Sequence, residues 1–382
     1  MAGLLLASKD KDEMIVTPWE VRGEVDYDRL IRDFGTEPIT DELLQRLEKH
    51  AGKLHPYLRR KLFFSHRDLD VILNLYEEGV KFVLYTGRGP SGPVHIGHLV
   101  PWIFTKYLQE KFKTRLYFQM TDDEKFLIED KLSLEDTIGF GRDNALDLIA
   151  LGFKPEDTFI IYDVEDMDLL YDLALNVAKR TTYSMARATF GFTESTNIGW
   201  IFWPAVQAVP CFVHAKLTGE NVPALIPAAI DQDPYWRITR DVAPKLGYYK
   251  PAQIHCRFLP GLGTGGKMSA SSPETSIYTT DTPEVVKRKI WNAFTGGKPS
   301  IAEQKKLGGN PEVCIVFQYL FTLFEEDDKK LVERKRKCKS GETLCGHCKT
   351  ELTERVNNFL VDHQRKREKA KNVLDKFHIK RE

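Results

Sequence analysis

The chain has 382 residues, with 55 Lys and Arg against 55 Asp and Glu, and a hydrophobic fraction of 42%. That length allows two or three domains with ordinary apolar cores, and the longest apolar stretch, 198–213, is interrupted by Pro204, Gln207 and Pro210, which excludes a membrane span. The run Leu4-Leu5-Leu6-Ala7 is too short for a signal peptide, so the expected location is cytoplasmic and the six cysteines are reduced thiols or metal ligands.

Residues 1–70 are charged and mixed, with a turn signal at Thr17-Pro18 and helical apolar spacing at Leu43, Leu44 and Leu47. From Lys81 onward, strand-like runs at 82–85, 115–120, 158–162, 224–230 and 254–259 alternate with helical patterns. Alternation of that kind predicts an α/β fold: a doubly wound parallel sheet with helices on both faces and the ligand at the carboxyl ends of the strands. The first run leads into a glycine turn, Thr86-Gly87-Arg88-Gly89-Pro90-Ser91-Gly92-Pro93, then into His95-Ile96-Gly97-His98 and an apolar helix from Leu99. Strand, glycine turn and helix start in that order put free backbone N–H groups, and the positive end of a helix dipole, where a triphosphate can sit. His95 and His98 are three apart, share one face of the first turn and can donate to phosphate oxygens together.

A second phosphate-handling segment lies far downstream. Lys267-Met268-Ser269-Ala270-Ser271 follows Gly261, Gly263, Gly265 and Gly266, which suits a loop that closes a cation onto a leaving pyrophosphate. After Asp281, an expected helix cap with Pro283 at the helix start, the pattern is helical almost to the end, with Leu352, Val356, Phe359, His363, Ala370 and Leu374 at helical spacing. Charge is uneven: residues 329–382 carry 17 Lys or Arg against 8 Asp or Glu, and this basic end is where an RNA backbone would lie. Within it, Cys345-Gly346-His347-Cys348 follows Cys338 by seven residues and Cys314 stands 24 earlier still, which is ligand spacing. Cys211 and Cys256 are isolated and read as core.

Three further segments join the two signatures: Gln119-Met120-Thr121-Asp122-Asp123-Glu124-Lys125, Pro204-Ala205-Val206-Gln207 and Ala229-Ile230-Asp231-Gln232-Asp233-Pro234-Tyr235-Trp236-Arg237. Together they resemble the class I aminoacyl-tRNA synthetases, and among them the tryptophanyl family of archaeal and eukaryotic type, over about residues 16–371. The resemblance implies a Rossmann-like catalytic domain over 71–280 and a helical anticodon-binding domain over 281–382. It also implies an N-terminal extension over 1–70 that packs on the active site, with 17–27 as a cap near ATP. The implied activity is activation of tryptophan by ATP with Mg²⁺ and transfer to the 3′ end of tRNA(Trp), by a homodimer. By the same resemblance His95, His98 and Lys267 are catalytic, and Arg88, Gly89, Gly97, Met268, Ser269 and Ser271 join them around ATP. Tyr85 and Gln119 take the indole N–H, Glu124 and Gln207 hold the ammonium, and Lys125 or Gln232 reaches the carboxylate. A subset of the family carries a four-iron, four-sulfur cluster on a nearly identical cysteine spacing. The first gap here is one residue longer, so that cluster and Zn²⁺ both remain open for Cys314, Cys338, Cys345 and Cys348.

Three rival readings share parts of this pattern. Tyrosyl enzymes of the same subclass differ immediately after Asp231-Gln232. A small-molecule nucleotidylyltransferase can carry His-x-Gly-His on the same kind of fold but needs no basic helical C-terminus, and a non-catalytic paralogue has no need of intact His95, His98 and Lys267.

Overall fold

The computed structural model describes residues 14–16, 21–22, 25–264, 266–269 and 272–379. The 4–7 run, most of the expected 17–27 cap and Ser271 therefore lie outside the described residues. The strands are β1 (Ile15–Val16), β2 (Val21–Arg22), β3 (Glu37–Pro38), β4 (Phe63–Arg67), β5 (Val83–Arg88), β6 (Leu116–Met120), β7 (Thr158–Tyr162), β8 (Ala224–Ala229) and β9 (Ala252–Cys256). β1 pairs with β2, and the other seven form one sheet in the order β3-β4-β9-β8-β5-β6-β7.

The inner strands are apolar at successive positions because both faces are covered, as a parallel sheet requires. Leu84, Phe118, Ile160 and Leu225 enter one core, while Val83, Tyr85, Tyr117, Ile161 and Ile226 enter a second one on the other face. β9, β8, β5, β6 and β7 run parallel. From β5 the chain proceeds outward to β6 and β7, then returns to β8 and β9 on the other side, so β5 and β8 flank the switch point where strand order reverses.

The sequence pattern did not mark β4 as a strand. It lies antiparallel to β9, with His66 opposite Ile254, and brings the N-terminal region into the sheet. Phe63 of β4 stacks on Phe104 with ring centroids 3.8 Å apart. Truncating either ring to alanine removes fully buried area and should cost roughly 3–5 kcal/mol.

Beyond residue 281 the structure is helical. The helix Pro283–Trp291 is capped by Thr282, whose hydroxyl accepts from Val285 N–H, and not by Asp281 as expected. The Asp281 carboxylate is taken instead by Lys289 Nζ at 2.7 Å and Tyr278 N–H at 2.9 Å. The long helix Cys345–Ala370 buries Leu352, Val356, Leu360 and His363 and lies against the helix Leu134–Ala150. Past it, Ile379 N–H donates to the Ile160 carbonyl at 3.0 Å, so the tail covers the free edge of β7. Among the described residues no helix is long and apolar enough to cross a membrane.

Candidate functional site

A cleft of about 290 Å³ opens at the switch point. β5 and its glycine turn bring Tyr85, Arg88 and Gly89 to it, and the helix Ile96–Phe112 brings His95, Gly97 and His98 from its first turn. Gln119 comes from the end of β6, with Glu124 and Lys125 just beyond. Gln207 projects from the helix Ile198–Ala208, Gln232 from the turn after β8, and Lys267 and Met268 from the downstream loop. Ser269 is not among the lining residues; its carbonyl accepts from the Ser276 hydroxyl at 2.7 Å.

One end of the cleft is cationic. His95 caps the helix in an extended conformation, and its backbone N–H donates to His98 Nδ1 at 3.2 Å. The two rings stack 3.5 Å apart. Burial, reinforced by the nearby Arg88 and Lys267 cations, pulls His95 down to about 3 and His98 well below the ordinary value. Both rings are therefore neutral at physiological pH, and because His98 Nδ1 accepts, its proton sits on Nε2. Positive charge comes instead from Arg88, which burial lowers only to about 10, from Lys267 and from the helix dipole. Arg88 is steadied by Asn144, whose Oδ1 accepts from its Nε at 3.2 Å. Lys267 Nζ lies 2.6 Å from Asp231 Oδ2, and Met268 N–H donates to the Leu259 carbonyl at 2.9 Å, which docks the loop on the cleft. A Cβ on Gly89 would overlap Lys125 Cε and fall 2.9 Å from Glu124 Oε2, so a larger residue here would have to displace the ends of two side chains that line the cleft.

The other end is an aromatic slot with a polar floor. The Tyr85 hydroxyl lies 2.5 Å from Gln119 Oε1 and 3.0 Å from the Gln207 carbonyl, and burial keeps the phenol protonated. Trp236 meets the Tyr85 ring edge-on at 5.8 Å. Glu124 accepts from Thr121 at 2.7 Å and from Tyr235 at 3.3 Å, with Lys125 Nζ 3.5 Å away. Five buried atoms of the residues that line the cleft have no hydrogen-bond partner among the described residues: Arg88 Nη2, His95 Nδ1, Gln207 Oε1, Asp231 Oδ1 and Trp236 Nε1. Each such atom costs roughly 1–3 kcal/mol, a cost that a polar ligand relieves.

Two residues of this machinery carried no role in the sequence reading: Asp231, the partner of Lys267, and Asp163, whose two oxygens accept from Gln119 Nε2 at 2.8 and 2.9 Å. Asp163 directly follows β7 and Asp231 lies two residues past β8, and the carboxyl end of a parallel strand is the positional signal for a ligand-facing residue.

The four C-terminal cysteines come together around an apolar cavity of about 20 Å³, with Arg334 Nη1 3.8 Å from Cys348 Sγ. Among the described residues, however, no three His, Cys, Asp or Glu groups stand close enough to hold one ion. The ligand set expected at Cys314, Cys338, Cys345 and Cys348 thus surrounds a space instead of closing on a point, because the thiols come from separate turns of the helical region.

The description "tRNA synthetases class I (W and Y)" matches residues 77–361. The tryptophan–tRNA ligase of Thermococcus sibiricus is 56% identical over 368 residues, covering 96% of this chain and 94% of that protein. Among solved structures, the tryptophanyl-tRNA synthetase of Plasmodium falciparum superposes with a TM-score of 0.87 at 41% identity, over 93% of this chain and 98% of that one. That of Encephalitozoon cuniculi, bound to tryptophan, gives 0.86 at 37%, over 94% and 99%. The family match spans most of the chain and these relatives are covered almost end to end, so the chain belongs to the class I tRNA synthetases of the tryptophan and tyrosine group.

Proposed function

We infer that the chain is a tryptophan–tRNA ligase, which activates tryptophan with ATP to tryptophanyl-adenylate and transfers it to the 3′ end of tRNA(Trp). The observation that carries this reading is the joining, in one cleft, of the His95–His98 helix start and Lys267 with the Tyr85–Gln119 pair at the floor of an aromatic slot. The indole N–H is the one polar group of the tryptophan ring. Gln119 Oε1 and the Tyr85 oxygen offer it lone pairs, which a ring lacking the donor would leave unpaired. Glu124 and Gln207 hold the ammonium, and Lys125 or Gln232 holds the carboxylate.

The tryptophan carboxylate is already ionised and attacks the α-phosphorus in line, so the first step needs no protein base. Catalysis then consists of orientation and charge stabilisation. His98 donates from Nε2 and His95 from its ring N–H to phosphate oxygens; Arg88 contributes its free Nη2, and Lys267 leaves Asp231 to neutralise the departing pyrophosphate. Gly89 and Gly97 let the nucleotide approach the backbone, and Met268, Ser269 and Ser271 shape the loop that carries Lys267. Bound Mg²⁺ supplies further charge neutralisation on the polyphosphate. In the second step the ribose hydroxyl of the tRNA end takes the aminoacyl group, with the adenylate phosphate or water accepting the proton.

Residues 71–280 form the catalytic domain, 1–70 an extension against it, and 281–382 the anticodon-binding domain, supported by the excess of 17 cations over 8 anions in 329–382. Family membership supports a homodimer that works in the cytoplasm. Cys314, Cys338, Cys345 and Cys348 would be the thiolate ligands of a metal group, and their sequence spacing leaves an iron–sulfur cluster and Zn²⁺ both open. Such ligation would tie Cys314 and Cys338 to the first turn of the helix Cys345–Ala370 and would supply no chemistry to the cleft.

The test is Mg²⁺-dependent ATP–pyrophosphate exchange with each of the twenty amino acids. Exchange with tryptophan alone is expected. Exchange with tyrosine overturns the pocket assignment, and exchange with none overturns the reaction.

A further inference from the structure

Behind the aromatic slot lie three carboxyls, Asp122, Asp123 and Asp163, that the chemistry above does not use, next to Glu124, which it does. Asp122, Asp123 and Glu124 open the helix Asp122–Ile128, and Asp163 follows β7. Asp163 has no exposure to solvent. It stands within hydrogen-bonding reach of the Asp123 carboxyl, and no cation pairs with either one among the described residues. Asp123 Oδ1 accepts from Trp203 Nε1 at 3.1 Å and from Glu124 N–H at 2.7 Å. Trp203 belongs to the same helix as Gln207. A continuous chain therefore runs from Tyr85 through Gln119, Asp163 and Asp123 to Trp203, joining the two walls of the slot.

Its polarity can be counted. Gln119 spends its amide N–H on Asp163, so its carbonyl must face Tyr85 and the slot. Asp123 is an acceptor towards Trp203 and Glu124. Between Asp163 and Asp123 one hydrogen is needed, and two charged carboxylates would supply none. Burial, then mutual repulsion, pushes the Asp163 carboxyl well above the ordinary carboxylate range, and burial pushes Asp123 upward too. The surrounding ionisable groups, Asp122 and Glu124 on the same helix and Asp166 with its partner His378, include no cation placed to reverse this.

We propose that Asp163 and Asp123 share a single proton and act as positioning residues: the pair holds the Gln119 carbonyl towards the slot as the acceptor for the substrate's ring N–H. The proposal rests on the tryptophan reading given above and adds its specificity device. If the Gln119 amide were free to flip, its NH₂ would confront the indole N–H, donor against donor, and the preference for a ring that carries N–H would fall.

The test compares kcat/KM in pyrophosphate exchange for tryptophan and for 3-benzothienylalanine, which has sulfur in place of the ring N–H. Asp163→Ala frees Gln119 and should shrink that ratio roughly tenfold to a hundredfold, with the KM for ATP unchanged. Asp163→Asn and Asp123→Asn each supply the one bridging hydrogen from an amide, so each single variant should stay within about threefold of the parent ratio. The double variant sets amide NH₂ against amide NH₂ and should lose selectivity as Asp163→Ala does. A single Asn variant that fails like alanine, or an unchanged ratio in the double variant, overturns the shared proton; an unchanged ratio in Asp163→Ala overturns the positioning role. If Asp163→Ala does not fold, the comparison of single with double Asn variants decides. Failure of the parent protein to exchange with tryptophan at all is a separate outcome, and it refutes the tryptophan reading itself.

Discussion

Lys267 Nζ lies 2.6 Å from Asp231 Oδ2, an ion pair whose lysine side chain is 26% exposed and whose carboxylate is 3% exposed. The same cation is wanted by a leaving pyrophosphate, so Asp231 is a holding partner that must release it. Lys267→Ala should slow single-turnover adenylate formation by about a hundredfold to a thousandfold, the scale on which one preorganised charge-stabilising donor acts. Tryptophan affinity should change less than about threefold, because the lysine is assigned to the transition state. Asp231→Asn keeps the cation but loosens its docking, and a smaller loss of about tenfold is expected. Equal losses in adenylate formation and tryptophan binding for Lys267→Ala would sink the assignment.

Tyr85 and Gln119 are joined by one hydrogen bond and present acceptors side by side at the floor of the slot. Tyr85→Phe removes a hydroxyl; Gln119→Ala removes the amide. Each deletion should erode discrimination between tryptophan and phenylalanine by about 1–2 kcal/mol, measured as the ratio of kcat/KM values. The double variant should lose less than the sum, since the two groups act through the same contact. Unchanged selectivity in the double variant would show that the indole is read elsewhere.

Position in the chain decided what could be read before the fold was known. His95, His98 and the glycine turn are local: strand, turn and helix start are consecutive, so their chemistry follows from spacing alone. Lys267 is legible as a loop cation for the same reason. Asp231 is not, because its partner lies 36 residues away, and Asp163 reaches Gln119 across 44. β4 escaped notice because an antiparallel strand is defined by its pairing, here to a strand about 190 residues downstream, and Phe63-Phe64-Ser65-His66-Arg67 has too little alternation to announce itself. Asp281 was misread as a cap because Asp and Thr are near equals there; Lys289, one helical face onward, decided between them.

The neutral histidines give a pH prediction. The folded-state value of His95 is depressed to about 3 from an ordinary 6.5, so its contribution to stability is fully present above 6.5 and is lost as the pH falls from there towards 3. Adenylate formation should accordingly show no ionisation with a midpoint near 6.5. A break at that pH that disappears in His95→Asn would mean the ring works as a cation and that burial has been outweighed.

Cysteine chemistry is checked by metal removal. Protein purified without oxygen should carry either brown colour with about four iron and four sulfide per chain or about one zinc, and chelation should lower its melting temperature while leaving pyrophosphate exchange within about twofold. Stoichiometric zinc without iron would replace the cluster with a single ion, and the absence of both would leave four unligated thiols around the cavity.

A buried polar cluster ties the long C-terminal helix to the helix Leu134–Ala150. Asp147 has no exposure to solvent; its Oδ1 is 2.8 Å from His363 Nε2 and its Oδ2 accepts from Arg367, which also bonds Asp143 at 2.7 Å. Asn144, on the same helix as Asp147, holds Arg88 of the cleft. Asp147→Ala leaves the Arg367 guanidinium buried without that counter-charge and should cost about 3–5 kcal/mol, the penalty for breaking one side of a buried pair. Asp328→Ala is the control. It removes a link from the helical region to Arg59 and Arg60 of the N-terminal region; its carboxylate is 45% exposed, and Arg60, though only 4% exposed, keeps its bond to the Phe321 carbonyl, so a smaller loss of about 1–2 kcal/mol is expected. Urea unfolding of the two variants separates the cases by the difference in midpoint at a common slope. If Asp147→Ala unfolds no more easily than Asp328→Ala, the long helix is held by its apolar face alone and Asp147 only sets its register.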